Sequence, residues 1–106
     1  MSRPYSPDAP SRAEVDAWSG VALLDFGTSW CGHCNAAQPL VDQALAGYPQ
    51  VRHLRVEDGP GRPLGRSFGV KLWPTLVLLR DGREIARLVR PRGAREVADA
   101  LAAVGR

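Results

Sequence analysis

Val21-Ala22-Leu23-Leu24-Asp25-Phe26, followed after Gly27-Thr28-Ser29 by Trp30-Cys31-Gly32-His33-Cys34, is the stretch that decides the fold. The apolar run has the length and composition of a buried strand, and Ala36 to Leu45 has helical spacing. The cysteines, the only two in the chain, therefore fall where a strand gives way to a helix. Residues i and i+3 on a first helical turn are neighbours, and their α-carbons can sit about 5–6 Å apart, the separation a disulfide needs. Such a pair reads as a redox-active dithiol that closes and opens with little backbone movement.

Working outward, Ser11-Arg12-Ala13-Glu14 has the spacing of a capping box and predicts a short helix that begins after Pro10 and runs to about Trp18, stopped by Gly20. The helix that starts near Cys31 or Gly32 should run to Ala46, with Ala37, Leu40, Val41, Ala44 and Tyr48 on one face and Pro39 inside it. Val51–Glu57 reads as a second strand, Asp58 to Pro63 as a loop, and Leu64–Phe68 as a helical turn. Thr75–Leu79 and Glu84–Val89 flank Asp81-Gly82, a strong hairpin signal, so these two strands should be antiparallel. Ala94, Val97, Ala98, Leu101 and Val104 then mark a closing amphipathic helix. A strand-helix-strand unit followed by a hairpin and a helix implies an α/β fold, a mixed sheet covered by helices on both faces.

With 106 residues, the chain fits one domain that buries roughly two-thirds of its unfolded surface, so disulfide stapling is not required for folding. The expected division is a Pro-rich segment over residues 1–10 and a single domain over 11–106. Residues 1–10 contain three prolines and no apolar core of a signal peptide, which predicts neither secretion nor membrane anchoring, and hence a cytoplasmic protein. In a reducing compartment a lone cysteine pair is catalytic or metal-binding rather than structural. Net charge is +3, but residues 1–50 carry two basic and five acidic groups whereas 51–106 carry twelve and six. A basic second half could favour acidic partners, nucleic acid included. Its arginines are scattered singly without interleaved aromatics, so a solvated face of a monomer is the expectation.

The attacking species in disulfide exchange is a thiolate, and a helix N-terminus favours negative charge through its unpaired N–H groups and dipole. Cys31, at the strand exit, should be the exposed nucleophile and Cys34, one turn in, the more buried resolving thiol. His33 lies between them; protonated, it would stabilise the reduced state and make the disulfide more oxidising, and otherwise it is an exposed histidine. The competing use of a C-x-x-C pair is half of a zinc site, which here would need His33 and His53 or a second chain.

With Asp25, Phe26, the Trp-Cys-Gly-x-Cys run, Pro39 and Trp73-Pro74-Thr75 all in place, the chain resembles the thioredoxin family over roughly residues 11–104. The resemblance implies a thioredoxin-like fold with a four-stranded sheet. It implies a thiol–disulfide oxidoreductase that works through a mixed disulfide at Cys31, resolved by Cys34, with no cofactor beyond the cysteine pair. Asp25 matches the family's buried aspartate, which exchanges a proton with the resolving cysteine; an aspartate bonded to local backbone is the alternative. Pro74 matches the cis-proline whose preceding backbone pairs with substrate, and Trp30, Gly32, Trp73 and Thr75 complete that surface, with a core aromatic as the lesser reading of Trp73. Partners would be protein disulfides and a reductase or oxidant.

The Gly32-His33 dipeptide is like that of protein disulfide isomerase domains. Gly27 stands where thioredoxins usually have tryptophan, Arg90-Pro91 replaces a glycine-containing turn, and His53 aligns where many members have a lysine near the aspartate. The departures at Gly27 and Arg90-Pro91 leave room for an interaction or chaperone-like subunit. The family's first strand should be short, irregular or missing, because Arg3 to Pro7 is poor strand material.

Overall fold

Leu23, Leu24 and Phe26 are wholly buried, and burial of successive residues on both faces makes β1 (Val21–Gly27) an interior strand. In the computed structural model, which describes residues 4–105, β1 lies between β2 (Arg52–Glu57) and β3 (Thr75–Arg80), with β4 (Arg83–Val89) outside β3. β1 pairs parallel with β2 and antiparallel with β3, and β3 pairs antiparallel with β4. The sheet is therefore mixed. Asp81 and Gly82, both at positive φ (52° and 80°), form the turn between β3 and β4, the conformation that matches the twist of a tight hairpin.

Alternation along the strands sends side chains to two cores. Ala22, Leu24 and Phe26 of β1, with Val77 and Leu79 of β3, meet Val15 of α1 (Arg12–Asp16) and Leu64 of α3 (Pro63–Ser67). Leu23, Leu76 and Leu78 face the other way, onto Val41 and Ala44 of α2 (Gly32–Leu45) and Val97, Leu101 and Val104 of α4 (Ala94–Val104). Each fully buried Leu or Val contributes about 1.5–3 kcal/mol, so both faces hold the sheet. Ser11 caps α1 in a reciprocal capping box with Glu14. α2 runs through Pro39 as one helix and buries Cys34, Ala37, Gln38, Val41 and Ala44. Leu40, expected on that face, is only half-buried. The inward series runs i, i+3, i+4, i+7 from Cys34, which turns Gln38 inward in its place.

No first strand forms among the described residues. A single parallel bridge joins Ser6 to Val56, made by Ser6 N–H to the Arg55 carbonyl and Glu57 N–H to the Ser6 carbonyl, both at 2.9 Å. The Pro-rich segment is nevertheless not a separate tail: Tyr5 is only 4% exposed, and its ring is part of the domain. Residues 1–3 of that segment and residue 106 lie outside the described residues.

Candidate active site

Cys31 is the N-cap of α2, and its sulfur accepts the Cys34 N–H at 3.2 Å. Both cysteines are free thiols. Cys31 is partly exposed, whereas Cys34 is wholly buried one turn behind it. The strand-to-helix junction thus presents one sulfur to solvent and withdraws the other. Burial first, and then the hydrogen bond with Cys31, pushes the Cys34 thiol up to about 12.

Asp25 points to the α2 side of the sheet, in the half of the strand alternation that carries Leu23. It is 1% exposed. The Tyr5 hydroxyl donates to its Oδ1 at 2.7 Å and the Arg55 Nε–H to its Oδ2 at 3.3 Å. Arg55 is cross-strand from Asp25 in the parallel register and is itself buried, with a second ion pair to Asp42 at 3.0 Å and a bond to the Gln38 carbonyl at 3.4 Å. Desolvation prevails over these two favourable partners and raises the Asp25 carboxyl from 3.8 to about 6. A buried carboxylate that accepts a proton near neutrality is suited to general base work.

Gly27 explains how these groups come so close. A Cβ there would stand 2.5 Å from the Cys34 sulfur and 2.9 Å from both Cζ and the hydroxyl oxygen of Tyr5. Any side chain at this position would displace the phenol or the thiol. Tyr5 therefore fills space that the absent side chain leaves beside the dithiol.

The thioredoxin family model matches residues 8–103. The chain belongs to the thioredoxin family. It is 40% identical over 72 residues to a thioredoxin of Chlamydia muridarum, an alignment covering 67% of this chain and 70% of that one. Among solved structures it is similar to reduced thioredoxin 2 of Pseudomonas aeruginosa, at 57% identity and a TM-score of 0.89 over 99% of this chain and 97% of that one. Reduced desulfothioredoxin of Desulfovibrio vulgaris Hildenborough superposes with a TM-score of 0.81 at 26% identity, over 97% and 99% of the two chains. With Cys31 and Cys34 at the helix junction, this thioredoxin-family protein is a disulfide oxidoreductase, and the reading as an inert interaction subunit or a metal-binding module is not favoured.

Trp30 is 78% exposed and meets Trp73 edge to face, ring centroids 5.7 Å apart. Trp73 is half-buried rather than a core aromatic, and its indole N–H donates to Asp58 at 2.9 Å. The Trp73–Pro74 peptide is cis, Pro74 is buried, and the Thr75 hydroxyl donates to the Leu72 carbonyl at 2.6 Å. Arg90 has φ 53°, the left-handed conformation a glycine would take there, and its Nε–H donates to the Trp73 carbonyl at 2.8 Å. Gly32 and His33 are exposed, and His33 lines a groove with Ala36, Leu40, Val89 and Pro91.

His53 does not provide the cation at Asp25. It stands across from Leu23, and Arg55, two residues on, makes the ion pair. Among the described residues no three His, Cys, Asp or Glu side chains cluster to hold a metal ion, and no helix is long and apolar enough to cross a membrane. Tyr5 and Arg55 are the two groups that sequence reasoning missed. The signal for Tyr5 is Gly27, a missing side chain beside a dithiol. For Arg55 it is an arginine placed between Leu54 and Val56 inside a strand.

Proposed function

We propose that Cys31 is the nucleophile that forms the mixed disulfide with a protein substrate and Cys34 the thiol that resolves it, with Asp25 taking the Cys34 proton. The observation that carries this reading is the contrast between the two sulfurs: Cys31, partly exposed, accepts a helix N–H, while Cys34 is wholly buried against the Gly27 space that Tyr5 fills, and the Tyr5 hydroxyl donates to the buried Asp25 carboxylate. Attack by Cys31 on a substrate disulfide expels one substrate thiolate and leaves the other half bonded to Cys31. Cys34, deprotonated toward Asp25, then attacks the Cys31 sulfur, forms the Cys31–Cys34 disulfide and releases the second thiol. Trp30, Gly32, the cis Trp73–Pro74 unit and Thr75 form the surface on which the substrate chain lies, and His33 tunes the potential of the couple. A thioredoxin reductase-type partner and a cytoplasmic site of action belong to the same proposal, since a reducing compartment keeps such a pair supplied with electrons.

The test is mixed-disulfide trapping. The Cys34→Ser variant should accumulate substrate bonded to Cys31, and the Cys31→Ser variant should neither trap nor turn over. Trapping by Cys31→Ser alone would reverse the roles. A redox titration against glutathione, paired with insulin reduction, distinguishes a reductase from an oxidant or isomerase.

A further inference from the structure

The structure assigns to Tyr5 a part in the resolving step: its hydroxyl carries the proton from the Cys34 thiol to the Asp25 carboxylate. This rests on the assignment of Cys34 and Asp25 proposed above and goes beyond it, because Tyr5 belongs to the N-terminal segment and to no motif of the site. The geometry brings the three groups to one place. The phenol oxygen is 2.7 Å from Asp25 Oδ1, and the position of an absent Gly27 Cβ touches both that oxygen and the Cys34 sulfur, at 2.9 and 2.5 Å. Arg55 holds the other carboxylate oxygen, which leaves Oδ1 as the acceptor aimed at the phenol. The backbone directly after Tyr5 is fixed as well, since Ser6 is bridged to Arg55 and Glu57 by two hydrogen bonds of 2.9 Å.

Two proton shifts make up the step. The Cys34 S–H proton passes to the Tyr5 oxygen while the Tyr5 O–H proton passes to Asp25 Oδ1. Cys34 becomes a thiolate, Asp25 a carboxylic acid, and Tyr5 is neutral before and after. Burial and the neighbouring Asp25 charge drive the Tyr5 hydroxyl far above its ordinary range, so a free tyrosinate is not a station on the path and the two shifts are concerted. The thiolate then attacks Cys31 and expels the substrate thiol. Tyr5→Phe removes the relay and keeps the ring that fills the Gly27 space.

Stopped-flow reaction with 5,5′-dithiobis-(2-nitrobenzoate) separates the steps, because attack by Cys31 and resolution by Cys34 each release one coloured thiolate. In Tyr5→Phe the second phase should slow by about 10- to 100-fold with the first phase within about twofold of wild type. Its pH profile should also shift to higher pH, since the Tyr5 hydrogen bond lowers the Asp25 value. The groups setting that limb are Tyr5, Arg55, Asp42, Cys34 and Cys31. In an Asp25→Asn background, Tyr5→Phe should add no further slowing. A second phase within twofold of wild type, or equal slowing of both phases, overturns the relay. Should Tyr5→Phe fail to fold, the wild-type second phase in mixed light and heavy water decides: a curved dependence on deuterium fraction reports two protons in flight, and a linear one overturns the relay. If Cys34→Ser traps no mixed disulfide, the assignment of the cysteines fails instead, whatever Tyr5→Phe does.

Discussion

Replacing Asp25 with asparagine separates what the carboxyl does for stability from the catalytic role proposed for it. The carboxyl is raised from 3.8 to about 6 in the folded protein, so the folded state holds its proton more tightly than the unfolded chain. A tenfold difference in proton affinity is worth about 1.4 kcal/mol, which makes the whole effect about 3 kcal/mol. The sign follows from linkage. The stability that wild type gains from the protonated carboxyl is fully present below about 3.8, falls as pH rises, and is lost above about 6. Asparagine does not titrate. The stability difference, asparagine variant minus wild type, should therefore rise by about 2–3 kcal/mol between pH 4 and pH 8.

Arg55 loses one partner in the variant but keeps Asp42 at 3.0 Å and the Gln38 carbonyl at 3.4 Å. That cost is constant across the window and drops out of the slope. Urea unfolding of both reduced proteins at several pH values from 4 to 8 measures it. At neutral pH the variant should be at least as stable as wild type while its mixed disulfide resolves far more slowly. Below about pH 6 wild-type resolution should slow as well, because the base is already protonated. A stability difference that is flat with pH, or that falls as pH rises, would refute the buried-carboxyl reasoning. Equal resolution rates in the two proteins would make Asp25 structural.

Two further substitutions probe the neighbourhood of the sulfurs. His33→Pro should make the couple more reducing, in the direction of the about 90 mV that separates protein disulfide isomerase from thioredoxin, because it removes a potential positive charge beside the dithiol; an unchanged or more oxidising potential in a glutathione titration would show that His33 has no electrostatic role. Gly27→Ala should destabilise the fold by about 1–3 kcal/mol, since its Cβ meets the Cys34 sulfur at 2.5 Å and the Tyr5 ring at 2.9 Å. In a Tyr5→Ala background, denaturant unfolding should show a smaller cost for the same change, and full additivity would mean that the phenol does not occupy that space.

Local rules carry most of the fold. The Ser11–Glu14 capping box, the Asp81-Gly82 turn with both residues at positive φ, and the i, i+3, i+4, i+7 spacing of α4 each specify their element from a few adjacent residues. The C-x-x-C pair at a strand-to-helix junction similarly fixes which sulfur is exposed, because helix geometry alone places Cys34 one turn inward. Leu40 departs from its expected place because hydrophobicity alone does not set the phase of α2; the burial of Cys34 does.

The groups that are not legible in the sequence are those whose role depends on register and on distant chain. Arg55 reaches Asp25 only because β1 and β2 pair in a register that sets them side by side; one step of slippage would turn Arg55 to the other face. Tyr5 lies 20 residues from Asp25, between two prolines that argue against a strand, and nothing local distinguishes it from a tail. What places it is the absence of a side chain at Gly27. A cavity beside a buried carboxylate and a thiol would leave polar groups unsatisfied and the surrounding side chains without packing partners, so the fold requires some other residue to enter that space and to bring a hydrogen-bonding group with it. A phenol meets both demands. The departure at Gly27 and the burial of Tyr5 are therefore one structural change: the ring comes from the N-terminal segment instead of from β1, and it carries a hydroxyl to the place where the proposed mechanism moves a proton.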